Sequence, residues 1–139
     1  ARRLLDMGKL SLRKEEFQSA VRTFNRAKEI LEKDDGGEPL ALAYCLSILA
    51  TTYEQMGEYA AAGPLYERSL AIYEAEQGKD HITVGVCLVN MARLYNLEGH
   101  RDKAMATLER AVVIHEASLG ADAPETRKWR DVLDTMRSE

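Results

Sequence analysis

The chain has 139 residues, 45% hydrophobic and 30% charged, with a formal net charge of −4. That is enough for one domain with a buried core, and it excludes disordered, collagen-like and disulfide-stapled chains. No apolar run approaches the ~20 residues of a membrane-spanning helix, residues 1–20 lack a signal-peptide plan, and the acidic balance argues against general nucleic-acid binding.

Apolar and small residues at spacings of three and four predict helices over 2–13, 15–33, 39–56, 58–76, 80–98, 100–118 and 123–138. The first pair carries Leu4, Met7, Gly8 and Ser11, then Phe17, Ala20, Phe24 and Ile30. Asp34-Asp35-Gly36-Gly37 breaks the chain before the second pair, which carries Leu46, Leu49, Ala50 and Tyr53, then Tyr59, Ala62, Tyr66, Leu70 and Tyr73. Gly57 and Gly99 suit the left-handed residue that ends a helix. Pro64 predicts a bend, not a break. Gly78-Lys79-Asp80 precedes the third pair and Gly120-Ala121-Asp122 the last helix. There Asp122, Pro124 and Glu125 read as a helix start with a capping box. Trp129, Val132, Leu133 and Met136 form its apolar stripe.

The pairs are copies of one another at an offset of 42 residues. The offset links Leu4, Leu46 and Leu88, then Met7, Leu49 and Met91, then Gly8, Ala50 and Ala92. It also links Ala20, Ala62 and Ala104. The small residues permit close helix approach, and Phe24 or Tyr66 fills the space between neighbours. The last helix begins a fourth copy, but Asp134 and Arg137 replace Ala92 and Tyr95. It is therefore expected to close the stack as a solvating cap. The expected architecture is all-α: a right-handed α-solenoid of three helix–turn–helix units plus a C-terminal capping helix. The single domain spans 1–139, with repeats over about 1–38, 39–79 and 80–121 and a cap over 122–139. A start without Met reads as a fragment of a longer chain.

Leu4, Gly8, Phe17, Ala20, Phe24 and Ala27 resemble the tetratricopeptide repeat, whose usual period is about 34 residues. The stretches running from Ala61 to His81 and from Leu88 to Asp122 are similar to the longer repeats of kinesin light chains. Departures are Glu15 in place of the turn glycine, Ile82 in place of a proline, and Ser69 in place of Ala. The resemblance implies a helical-repeat fold and a non-catalytic protein-interaction role.

Little in the chain suggests an enzyme, a metal site or a cofactor. His81, His100 and His115 lack a close His or Cys partner; His81 reads as a helix-start residue, and the other two are expected to face solvent. Cys45 and Cys87 share the register position of Trp129 and are expected to be small core residues. Two such cysteines point to the cytoplasm or another reducing compartment. There is no phosphate loop, nucleophile elbow or HExxH motif.

By resemblance, the first helix of each repeat lines a concave groove. The expected groove residues are Arg2, Asp6, Lys9 and Arg13, then Tyr44, Ile48 and Thr51, then Val86, Asn90 and Arg93, with Lys128 on the cap. Leu5, Ser47, Gln55, Val89, Leu97 and Asp131 accompany them. Lys9, Arg13, Arg93 and Lys128 could meet acidic side chains. Asn90 could hold a peptide backbone, as the matching asparagine of kinesin light chains does. Tyr44, Ile48, Val86 and Val89 could form apolar pockets. The Lys, Asn, Asn, Lys, Arg clamp of chaperone-tail receptors is replaced here by Leu5, Lys9, Ile48, Val86 and Asn90. Capture of a chaperone carboxylate is not expected.

The expected partner is thus a protein or peptide, a short extended and partly acidic segment, with no nucleic acid and no membrane insertion. Two other roles fit the same sequence. One is a structural segment of a longer solenoid or oligomer, self-associating through the open amino-terminal end. The other is a regulatory subunit docking an enzyme through Tyr59, Tyr73, Glu74 and Glu76 on the second helices.

Overall fold

A computed structural model of the chain describes residues 2–34 and 37–139, and the side chains of residues 2–12 lie outside the described set. The described residues form α1 (Arg2–Lys33), α2 (Pro39–Gln55), α3 (Tyr59–Gln77), α4 (Ile82–Leu97), α5 (Arg101–Leu119) and α6 (Pro124–Ser138). Each helix packs on the next in the chain, and α2 also touches α4. This is an all-α helical-repeat stack. One layer holds α2 and α4, and the other holds α3, α5 and the second half of α1.

The turns of the second and third repeats are alike. Gly57 has φ +79° and Gly99 φ +87°. Around each, the next residue's N–H reaches back to close the helix end: Glu58 donates to the Tyr53 carbonyl and His100 to the Tyr95 carbonyl, both at 2.8 Å. This is the helix stop that a glycine in the left-handed region permits.

The first repeat lacks it. The expected break between 13 and 15 is absent, and α1 runs unbroken for 32 residues. Subtracting the offset of 42 from Gly57 gives Glu15. A side chain disfavours the left-handed conformation by roughly 1–2 kcal/mol. Arg13-Lys14-Glu15-Glu16 are all good helix formers, so the helix continues. The first unit is therefore one long helix rather than a helix–turn–helix.

Two packed clusters follow the register. Ala50, Ala62, Tyr66, Cys87, Met91 and Leu94 join the second repeat to the third. Val84, Leu88, Ala92, Leu108, Val112, Ile114 and Leu133 join the third to the cap helix. Ala62 and Ala104 are fully enclosed, as the small-residue pattern requires for close approach. The second helices are also tied across the outer layer. Arg68 pairs with Glu32 at 2.9 Å, and Arg110 with Glu74 at 3.6 Å, one offset apart. Such exposed pairs add little stability.

Three local expectations need correction. His115 does not face solvent: it is 2% exposed, and its Nδ1 lies 2.8 Å from the Ala111 carbonyl. It stands one offset beyond Tyr73, itself buried, so the repeat register carried that signal. The capping box at α6 is not formed, because the helix starts at Pro124 and its N-cap, Ala123, has no side-chain hydrogen bond. Val132 is exposed, not part of the core stripe, because it occupies the register position of Asn90. Pro64 lies inside α3 without ending it. His81 does cap α4, its Nδ1 accepting from the Thr83 N–H at 3.1 Å.

Candidate functional site

The side of α2 and α4 away from the core bounds a cleft of about 550 Å³. Tyr44, Ser47, Ile48, Thr51, Thr52 and Gln55 form one wall from α2. Ile82, Thr83, Val86, Cys87 and Asn90 form the other from α4, and Tyr73 of α3 closes the bottom. The helical period explains the lining: Tyr44, Ile48 and Thr51 share one face of α2, as Val86 and Asn90 do on α4. The opposite faces are held in the core by Leu46, Leu49, Leu88 and Met91.

No Asp, Glu, His, Lys or Arg lines the cleft. Its chemistry is apolar contact plus hydrogen bonding. Tyr44 is 63% exposed and Val86 50% exposed, and both line the same groove, from opposite helices. Among the described residues no hydrogen bond engages the half-buried Asn90 side chain. The Cys87 thiol is pushed up to about 11 by burial, so it stays protonated and is a poor nucleophile at neutral pH.

A polar network lies behind this cleft. Arg93 Nε donates to Glu54 Oε2 at 2.7 Å, and Arg93 Nη2 donates to the Tyr66 hydroxyl at 3.3 Å. The Tyr66 hydroxyl sits 2.7 Å from Thr51 Oγ1, and Thr51 also donates to the Ser47 carbonyl at 3.0 Å. Burial raises the Tyr66 phenol above its ordinary value, against the Thr51 hydrogen bond. Burial works against the Arg93 charge, but the Glu54 carboxylate outweighs it and holds the guanidinium above its usual value. The network clamps α2, α3 and α4 together and so presets the cleft width.

The structure brings seven of the expected groove residues together: Tyr44, Ser47, Ile48, Thr51, Gln55, Val86 and Asn90. Arg93 is not a free cation of the lining, because it is committed to Glu54. Val89 is buried in the core beside Leu88 and Ala92. Lys128 rests over the Trp129 ring, 4.7 Å from its centre. Arg13 is exposed on α1. The side chains of Arg2, Leu5, Asp6 and Lys9 lie outside the described residues.

Sequence reasoning missed Thr52, Tyr73, Ile82, Thr83 and Cys87 as cleft residues. Tyr73, in one reading a docking residue of the second helices, is buried and lines the cleft. Its register mate His115 is equally buried. The pattern alone could have assigned Tyr73 to the interior, though not to the cleft.

Comparison with known proteins agrees with this architecture. The tetratricopeptide-repeat family model matches residues 1–75 and 40–117. The chain belongs to the tetratricopeptide-repeat family. Among solved structures, a putative kinesin light chain of P. anserina with nearly identical TPR-like repeats is similar, with TM-score 0.78 and 21% identity. The match covers 97% of this chain and 64% of that one. The crystal structure of BtubC (BKLC) from P. vanneervenii matches with TM-score 0.76 and 19% identity, over 89% of this chain and 51% of that one. The chain thus spans between half and two thirds of the length of these structures, and at such identities the likeness is one of fold. No curated protein sequence matches.

Tetratricopeptide repeats generally mediate protein–protein interaction and are typically non-catalytic. No helix among the described residues is long and apolar enough to cross a membrane. No group of three or more His, Cys, Asp or Glu among them could hold a metal ion.

Proposed function

We propose that this chain is a non-catalytic adaptor module, acting in a reducing compartment, that binds a short extended segment of a partner protein in the cleft between α2 and α4. The observation that carries this reading is the pairing of two exposed apolar side chains, Tyr44 and Val86, with the half-buried amide of Asn90 in one cleft. An apolar anchor of the segment would sit between Tyr44 and Val86. The Asn90 amide would donate to and accept from the backbone beside it. Ordering an extended segment costs entropy, so the affinity is modest.

The charge of the segment follows from what lines the cleft. The lining is uncharged, and an acidic side chain at the rim would have to share Arg93 with Glu54. The partner segment is therefore amphipathic, with acidic residues confined to its ends, where Arg13 or Lys128 could meet them.

A random-peptide display selection on the wild-type chain tests this, with each enriched peptide re-measured against Val86→Asp and Asn90→Ala by fluorescence anisotropy. The expected result is peptides with a central apolar anchor that lose at least about tenfold in affinity on either change, equivalent to roughly 1.4 kcal/mol. Peptides that bind both variants as tightly as the wild type would remove the cleft from consideration.

A further inference from the structure

Ile30 is 62% exposed, whereas Ile114, two offsets further on, is 3% exposed. The difference extends along the second half of α1. Ala20, Phe24 and Ala27 are only partly covered. Their register mates Ala62, Tyr66 and Ser69, and Ala104, Leu108 and Ala111, are all buried. In the third repeat the cover comes from the first helix of the same repeat: a Cβ on Gly85 of α4 would lie 3.0 Å from Ile114 Cγ2 and 3.1 Å from the His115 ring. In the first repeat no such helix folds back, because α1 runs straight through Arg13-Lys14-Glu15-Glu16.

The sequence that would provide the cover is nevertheless present. Leu4, Met7 and Gly8 hold the register of Leu46, Leu49 and Ala50 and of Leu88, Met91 and Ala92. Those six residues are buried in the later repeats. A first-helix pattern and the face that needs it lie on one continuous helix, so within that helix neither packs on the other.

We propose that two copies of this chain exchange these segments, so that residues 2–14 of each pack on the Ala20–Ile30 face of the other. The two α1 helices then run antiparallel about a two-fold axis, and each copy completes the first repeat of its partner. The axis falls at Arg13-Lys14-Glu15-Glu16. Two cations precede two anions there, so antiparallel copies set each cation against an anion of the other. This interface lies on a different surface from the α2–α4 cleft and does not rest on the peptide-binding reading.

The experiment is light scattering of the wild-type chain over a range of concentrations, combined with disulfide trapping. The trap is the double variant Gly8→Cys, Ala20→Cys, because the register mates Ala50 and Ala62 sit in one packed cluster. The native Cys45 and Cys87 are buried and do not compete. The expected results are a wild-type particle of twice the 15.6 kDa chain mass and, after mild oxidation, a covalent dimer on a non-reducing gel. Glu15→Gly supplies the residue that the turn requires. In that background the trap is expected to close within one chain, and the particle mass is expected to halve. A wild type that stays at single-chain mass at every concentration overturns the proposal. So does an intrachain link without Glu15→Gly, which would show the turn closing in one chain. So does a dimer that the trap fails to link, which would show that the copies meet elsewhere.

Discussion

The first repeat and the two that follow share one apolar register and differ at one turn position. Gly57 and Gly99 take up positive φ and let the chain reverse; Glu15 does not, and the helix runs on. Everything downstream of that residue differs accordingly. Tyr66 and Leu108 are enclosed, while their mate Phe24 is partly open. The same side-chain pattern therefore has a different energetic value in each repeat, because burial depends on whether the backbone turns.

The largest expected contrast lies in the cores. Tyr66→Ala removes an enclosed aromatic and its network, and should cost about 3–5 kcal/mol in urea unfolding. Phe24→Ala removes a ring that is only partly covered within one chain and, measured at dilutions that hold the chain single, should cost less than half of that. Equal losses would mean that the first repeat is as well packed as the second. Next comes the clamp behind the cleft. Arg93→Met leaves the Glu54 carboxylate, only 7% exposed, without its partner. Removing one member of a buried pair costs ~3–5 kcal/mol. The Arg93 side chain is 42% exposed, so solvent screens part of the interaction and about 1–2 kcal/mol is expected. Thermal denaturation of Arg93→Met beside Glu54→Gln and the double variant would separate the pair's coupling from the loss of either charge.

The turns themselves give a smaller effect. A Cβ on Gly99 would meet nothing within 4 Å, so Gly99→Ala reports backbone strain alone, and about 1–2 kcal/mol is expected. Glu15→Ala, in a helix without that requirement, should change stability by less than ~0.5 kcal/mol. A Gly99→Ala variant as stable as the wild type would remove the requirement for glycine at the turn.

The smallest effect is a pH dependence in the second and third repeats. Burial raises the Cys87 thiol from 9.0 to about 11. The folded state holds that proton more tightly than the unfolded chain does. Its contribution is complete below pH 9.0 and is lost as the pH rises towards about 11. Cys87→Ala should flatten this part of the stability curve, and a thiol reagent at pH 8 should label Cys87 only as fast as the fold opens.

Much of the site could be read before any coordinates. The offset of 42 residues placed Tyr44 with Val86 and Ile48 with Asn90, and the cleft assembles those four. What could not be read was which polar partners they would find. Arg93 looked like a groove cation on its own helix; only the approach of α2 and α3 shows that Glu54 and Tyr66 engage it. Tyr73, in one reading a docking residue of the second helices, lines the cleft instead, packed against Val84 and Leu88 of α4.

The sequence by itself determined the helices, their repeat and the family, because these depend on the period of apolar residues and on glycines at fixed positions. It also held the cause of the one exception, Glu15 at a glycine's place. Tertiary structure alone decided that this exception leaves the first repeat open and that the cleft wall is uncharged. Both follow from which helices come within contact distance. Local period fixes the face a residue occupies, and only packing fixes what that face meets.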